Sequence, residues 1–247
     1  MARDFDGSND DIDLTLAASQ VGLTTRSVAG WFYFDSVAQY RRIMQNGNAW
    51  PNLDWDWEFD DGFGLVFADH GWSTGTGSWS ISKPSTGSWV HLCYTYDAGS
   101  TGNNPVIYKD GASQSITERE TPSGTYSYSQ TNFYLGSDSG SGQYHDGRMA
   151  EIAIWDRVLT SGEVAILGDA YSPLFIPNGL VLYLPLMGRT SPEIELIGGS
   201  NGTLTETSAI SHPRIIYPSL AQIRRFGAGA APAVTANAWR LLTGVGL

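Results

Sequence analysis

The sequence predicts an all-β chain, an antiparallel two-sheet sandwich followed by an extended C-terminal arm, and three observations carry that prediction. Hydrophobic residues make up 41% of the 247 positions, with 29 Gly, 12 Tyr and 9 Trp, a composition suited to short strands and many turns rather than to disorder or a coiled coil. Apolar and polar residues alternate with a period of two in several segments, most clearly in Leu53 to Asp60, LDWDWEFD. Turn dipeptides such as Asp61-Gly62, Asp110-Gly111 and Asn178-Gly179 punctuate those segments. The length allows one sizeable sandwich with an appendage, divided as residues 1–186 and 187–247.

Taken in chain order, Asp6 to Asn9 is a turn, and Ile12, Leu14 and Leu16 alternate after it as a first strand. Ser27 to Asp35 follows, with Val28, Phe32 and Phe34 on one side and Trp31 and Tyr33 on the other. Apolar on both faces, it reads as a central strand. In Leu53 to Asp60, Leu53, Trp55, Trp57 and Phe59 form one face, while Asp54, Asp56, Glu58 and Asp60 form the other; Asp61-Gly62 then turns the chain into Phe63 to Phe67. Asp69 to Ser88 makes a hairpin or long loop around Trp72 and Trp79. Trp89 to Asp97 is a strand, Val106 to Asp110 pairs through Asp110-Gly111 with the strand beyond it, and Asn132 to Leu135 leads into the loop Ser137 to Gly142. Asp146-Gly147 reads as a turn ahead of the strand Arg148 to Trp155, where Ala150, Ile152 and Ile154 share a face. Thr160 and Glu163 have capping-box spacing ahead of Val164, Ile166 and Leu167, so a short helix ends at Gly168. Leu180 to Leu186 completes the same sandwich, because too few residues follow to build another. From Ser211 onward Pro213 and Pro218 favour an extended arm, and Gly227 to Pro232 a linker.

The formal charge of −11 argues against nucleic-acid binding. No Asp or Glu follows Glu206, while Arg214, Arg224, Arg225 and Arg240 do, so a tail of +4 follows a body of −15 and the two attract. Cys93 is the only cysteine, which excludes an intrachain disulfide. It reads as a small structural thiol, although His91 points to the same face. The N-terminal MARDFDGS has no apolar leader region and no run is long enough to span a membrane. The expectation is therefore a protein made in a host cytoplasm, leaving by another route if at all.

Three kinds of site compete with bland readings. Asp54, Asp56 and Glu58 are either an acidic solvent face or, as unpaired acids, a cation site. Calcium could use Asp6, Asn9, Asp10 and Asp11, or Asp138 with Asp146, against the alternative of ordinary turn chemistry, and no EF-hand spacing occurs. No cofactor is expected apart from that open case, and His70, His91, His145 and His212 lack zinc-ligand spacing. Trp31, Trp50, Trp72, Trp79 and Tyr144 offer flat faces to a sugar, or else fill the core.

The run from Asp146 to Glu163, with Asp146, Gly147, Glu151, Ile154, Trp155, Arg157, Leu159 and Glu163, resembles the closing strand and turn of laminin G-like domains, the concanavalin A-like jelly roll. FDGSNDDIDL (Phe5 to Leu14), SVAGWFYF (Ser27 to Phe34), SWVHLCYTYD (Ser88 to Asp97), IYKDG (Ile107 to Gly111) and NFYLGSD (Asn132 to Asp138) match in the family's order. The resemblance implies a concanavalin A-like jelly-roll sandwich, a fold shared by lectins, glycosidases, adhesion modules and virion proteins. Laminarinase-like members carry E-x-D-x-E on a strand of the concave sheet. Here Asp54 takes the first place, one methylene short, and residues four apart on a strand lie roughly 13 Å apart, against the about 5 to 5.5 Å between carboxyls that retention needs. The chain is therefore read as non-enzymatic. The missing leader and the HPRIIYP segment are similar to phage-encoded virion-surface members. The leading expectation is a structural virion protein, a capsid decoration or fibre-like component at the virion surface. Its arm, with Ile215, Ile216, Tyr217, Arg224 and Arg225, would join other virion proteins or copies of itself. Its sandwich would hold cell-surface glycans weakly through Asp54, Asp56, Glu58 and Trp72. A free carbohydrate-binding module is the alternative, and a hydrolase acting through Asp54 and Glu58 the third reading.

Overall fold

The computed structural model describes residues 1–48, 50–140, 142–188, 190–219 and 222. Its strands are, in chain order, β1 (Ala2–Asp6), β2 (Asp11–Thr15), β3 (Thr25–Phe34), β4 (Arg42–Gly47), β5 (Leu53–Asp60), β6 (Gly64–Asp69), β7 (Gly77–Ile81) and β8 (Trp89–Asp97), then β9 (Val106–Lys109), β10 (Ala112–Ser113), β11 (Thr117–Glu120), β12 (Asn132–Leu135), β13 (Asp146–Trp155), β14 (Leu180–Leu184), β15 (Thr203–Thr205) and β16 (Ser208–Ile210). An α-helix, α1 (Ser161–Gly168), follows β13. The strands form two antiparallel sheets. Sheet I has the order β10-β9-β8-β3-β13-β1-β16, with β14 also paired to β13, and sheet II the order β11-β7-β6-β5-β4-β12-β2-β15. This is the predicted jelly-roll sandwich. No described helix is long and apolar enough to cross a membrane.

The alternation read from sequence builds the core. Trp55, Trp57 and Phe59 of β5 point inward to meet Phe32 and Phe34 of β3, all 2% exposed or less, and each such burial contributes about 1.5–3 kcal/mol. β3 lies between β8 and β13, as its two apolar faces require. Its outward face, with Ala29, joins Cys93, Ala153 and Trp155 in a second core roofed by Val164 and Leu167 of α1 and by Leu174, Ile176 and Leu196. Burial raises the pKa of the Cys93 thiol, as befits a structural thiol.

One polar pair lies deep in the main core. Arg26 of β3 and Asp69 of β6 form an ion pair from opposite sheets, with side-chain exposures of 1% and 0%. Arg26 Nη1 donates to the Tyr126 hydroxyl at 2.8 Å, and the guanidinium carbon lies 5.6 to 5.9 Å from the rings of Trp55, Tyr94, Tyr96 and Tyr128. Burial is the largest single influence and opposes the Arg26 charge; Asp69 and the surrounding tyrosines together outweigh it, and the pKa stands above its ordinary value.

Several expectations change. A strand precedes the Asp6 turn, since β1 pairs with both β13 and β16. Asp146-Gly147 is not a turn: it opens β13 opposite Phe34 and Phe5, and Gly147 holds φ 147 where a Cβ would run into the Tyr33 carbonyl. A bulge between Ala150 and Ala153 shifts the parity of β13, so Met149 joins Ile152 and Ile154 in the main core in place of Ala150. The acidic face of β5 is not solvated, for Asp54 is 7% and Asp56 2% exposed. Residues assigned to the arm extend the sandwich: β15 pairs with β2 and β16 with β1. Strands of three residues are too short to show a period.

Removing one partner of the Arg26–Asp69 pair strands the other charge in the core. Arg26→Met is expected to destabilise the fold by about 3–5 kcal/mol, with the double variant Arg26→Met/Asp69→Leu recovering most of the loss; urea unfolding midpoints check both.

The α1 cap makes a second prediction. Thr160 Oγ1 accepts from Glu163 N at 3.3 Å, Glu163 Oε2 accepts from Thr160 N at 2.9 Å, and Arg157 donates to both Glu163 oxygens at 2.9 and 2.6 Å. Hydrogen bonding from Arg157 is the largest cause holding the Glu163 carboxyl at about 2. A folded pKa below the ordinary value stabilises above the unfolded pKa and is lost as pH falls. The stability gap between wild type and Glu163→Gln is therefore expected to be constant at neutral pH and to close between about 4.5 and about 2, read from melting temperatures across that range.

Candidate functional site

The two sheets treat their outer faces differently. Sheet I is covered by α1 and the segments around Leu174 and Leu196, whereas the outer face of sheet II carries a cleft of about 350 Å³, a size ordinary for small-molecule sites. Its depth comes from short side chains. Across β5, β6 and β7, Asp56 stands opposite Ala68 and Ala68 opposite Ser78, while Glu58 stands opposite Val66. Arg42 of β4 faces Glu58 from the other side.

The floor is a charge network centred on Arg42. Its Nη1 pairs with Asp56 Oδ2, and its Nη2 lies 3.2 Å from Glu58 Oε2 and donates to Gln143 Oε1 at 2.9 Å. Burial is the main influence on Arg42 and lowers its pKa against the pull of Glu58. His70 places Nε2 2.9 Å from Asp56 Oδ1. Burial lowers the His70 pKa, so the neutral ring donates Nε2–H to Asp56.

Two exposed aromatic rings stand at the two ends of the β5–β6 hairpin. Trp50, just before β5, is 70% exposed and packs edge-on to His70 with ring centroids 5.6 Å apart. Phe63, in the turn after β5, is 51% exposed and lies under Arg119, whose guanidinium carbon is 3.7 Å from the ring centre. Glu120 closes the rim by accepting from Thr76 N at 3.1 Å.

Of the residues read from sequence as ligand-binding, the fold brings Asp56 and Glu58 into this cleft and leaves Asp54 and Trp72 out of it. Asp54 Oδ2 accepts from Ser129 N at 3.0 Å and Gln130 N at 2.6 Å, so it seats a loop; burial raises its pKa and those bonds oppose the rise. Trp72 is 8% exposed and packs on Tyr126 in the main core, and Trp79 lies there too. Trp31 belongs to sheet I, beside His91. The reading of the β5 acids as unpaired is corrected, since Arg42 pairs with both Asp56 and Glu58.

The loop acids serve turns. Asp6 Oδ1 accepts from Ser8 N, Asp10 Oδ2 from Asp6 N, and Asp11 Oδ2 from Ser137 Oγ at 3.1 Å. Arg41 Nη2 lies 3.6 Å from Asp146. Among the described residues no group of three or more His, Cys, Asp or Glu side chains is placed to hold a metal. Burial drives His91 and His145 down to about 3.

Ile216 and Tyr217 lie against the chain's own body, with Ile215 half-buried: Ile216 N donates to Ala170 O at 2.8 Å, and the Tyr217 hydroxyl to Glu151 Oε1 of β13 at 2.7 Å. Arg224 and Arg225 lie outside the described residues. Sequence reasoning missed Arg42, Phe63, Arg119 and Glu120. β4, RIMQNG, shows no alternation and is bulged, so Arg42 carried no strand signal, but the Asp61-Gly62 turn does mark Phe63 as a hairpin tip.

Comparison with known proteins agrees with the fold. A crystal structure of a candidate carbohydrate-binding protein from Bacteroides ovatus superposes with a TM-score of 0.63 at 22% identity, covering 87% of this chain and 61% of that one, so this chain spans 61% of that protein's length. The native heptameric SAP-like pentraxin of Limulus polyphemus superposes with a TM-score of 0.52 at 14% identity, covering 68% of this chain and 81% of that one. At such identities both speak to fold alone. No curated protein matches the chain. The family model for concanavalin A-like lectin/glucanases matches residues 6–165, and the chain belongs to that superfamily.

Proposed function

We propose that the chain is a non-enzymatic carbohydrate-binding module whose cleft on sheet II takes a neutral saccharide. The observation that carries this reading is the pair of solvent-exposed rings, Trp50 and Phe63, at the two ends of a polar floor. Sugar rings present apolar C–H faces and hydroxyl edges, and such a site meets both, with aromatic faces for the first and Asp56, Glu58 and Arg42 for the second. The charges favour a neutral ligand. Arg42 and Arg119 face Asp56, Glu58 and Glu120, with His70 neutral, in a chain of net charge −11, a field that disfavours anionic sugars. The candidate role of the Bacteroides ovatus protein supports the reading.

The same network argues for binding without hydrolysis. A glycosidase needs one carboxyl to protonate and another to attack or activate water. Here Asp56 and Glu58 are both engaged by Arg42, and Asp54 is committed to the Ser129–Gln130 loop. The virion-surface role drawn from resemblance gains no support from the cleft or the comparisons, and the carbohydrate-binding reading takes its place.

A glycan array followed by calorimetry tests the proposal. Trp50→Ala is expected to weaken the best neutral oligosaccharide by about tenfold or more, the loss of one stacked ring, while melting with the wild type. Unchanged affinity would remove the cleft from the account. Incubation of that oligosaccharide with wild type is expected to release no new reducing ends, and release abolished by Glu58→Gln would show a hydrolase.

A further inference from the structure

The outer face of sheet I holds a feature that the cleft does not use. At the β13 bulge Glu151 adopts φ 58, a left-handed conformation that non-glycine residues seldom take. It leaves the carboxylate 2% exposed yet fully engaged. Tyr183 donates its hydroxyl to Oε2 at 2.6 Å, Tyr217 donates to Oε1 at 2.7 Å, and His212 Nε2 stands 3.0 Å from the same Oε1. Tyr183 belongs to the sandwich, but Tyr217 and His212 come from beyond β16. Between them Ile216 forms a parallel bridge with Tyr171, its N–H donating to Ala170 O at 2.8 Å and its carbonyl accepting from Ser172 N at 2.9 Å. Residues 212–217 are thus a strap with a phenol and an imidazole plugged onto one buried carboxylate.

We propose that this Glu151 recess is an exchangeable docking site, filled by the His212–Tyr217 strap of a second copy of the chain as well as by the chain's own, so that copies are linked by swapped straps. Every contact of the docked strap is the same whether it arrives from its own body or another, which makes such exchange a low-cost route to association. The hinge is short and accessible: Ser211 alone separates β16 from His212, and it is exposed. Charge favours capture of the strap by either body, because no acid follows Glu206 while Arg214 lies within the strap, and the body before it is strongly acidic. The occupant is specified by chemistry as well, since a Tyr five positions after a His is what reaches one carboxylate here. This inference stands apart from the saccharide reading.

The test uses two full-length forms carrying tags of different size, one with Tyr171→Cys and the other with Ile216→Cys, mixed, incubated and oxidised. Facing positions on paired strands lie within disulfide reach, and Cys93, fully buried, does not compete. The expected result on a denaturing gel is a mixed dimer severalfold more abundant than either like-with-like dimer. Because exchange breaks and remakes the same contacts, Glu151→Gln in both forms should leave the final yield unchanged and bring it on about tenfold sooner, since own straps held by a weaker hydrogen bond open more readily. Should that change disturb the body's fold, Tyr217→Phe in both forms removes the same bond from the strap side, with the same acceleration expected. A mixed dimer no more abundant than the like-with-like products overturns exchange, and one whose rate of formation is indifferent to Tyr217→Phe overturns the role of Glu151.

Discussion

The sandwich is organised around an ion pair that has no access to water. Arg26 and Asp69 reach across the main core from opposite sheets, and the rings of Trp55, Tyr94, Tyr96 and Tyr128 surround the guanidinium. A buried pair is weak evidence of net stability, because desolvation consumes much of the Coulombic gain. What it constrains is placement. β3 and β6 must face each other with Arg26 and Asp69 in register, and the Tyr126 to Tyr128 loop must fold over to complete the cage. That loop continues into Ser129 and Gln130, which Asp54 seats on the other side of sheet II. The core pair and the outer face are therefore coupled through one loop.

From that constraint follows a molecule with two unlike outer faces. Sheet I is sealed by α1 and by the strap that ends on Glu151, both delivered by chain following β13. Among the described residues sheet II receives no helix, and its outer face keeps a floor of paired charges between Trp50 and Phe63. The cleft and the strap lie on opposite faces of the sandwich, so a ligand in the first leaves the second free to exchange. Under the two proposals one face meets saccharide while the other meets further copies.

Local signals made much of this legible in the sequence. The alternation in LDWDWEFD gave β5 and its core face directly, and the Thr160–Glu163 spacing gave the helix cap, since both depend on neighbours a few residues away. The opposite face of β5 was misread because its surroundings come from afar: Arg42 from a bulged strand without alternation, and the Ser129–Gln130 amides from a loop 75 residues on. In β13 a single extra residue at Glu151 reverses the parity that a period of two assumes. Trp50 and Trp72 are alike as residue types. Only the fold separates the exposed ring beside the cleft from the one buried against Tyr126.

The measurement that bears most directly on the central claim is a two-dimensional NMR titration of the full chain with a neutral oligosaccharide, following the indole N–H signals and the backbone amides. The account predicts saturable shifts confined to sheet II, at the Trp50 indole, His70, the Asp56–Glu58 stretch and the Phe63 turn, with the Trp72 and Trp79 indoles unmoved. Shifts centred instead on Trp31 and the Glu151 recess would contradict it, and would place the ligand on the face that the strap now occupies.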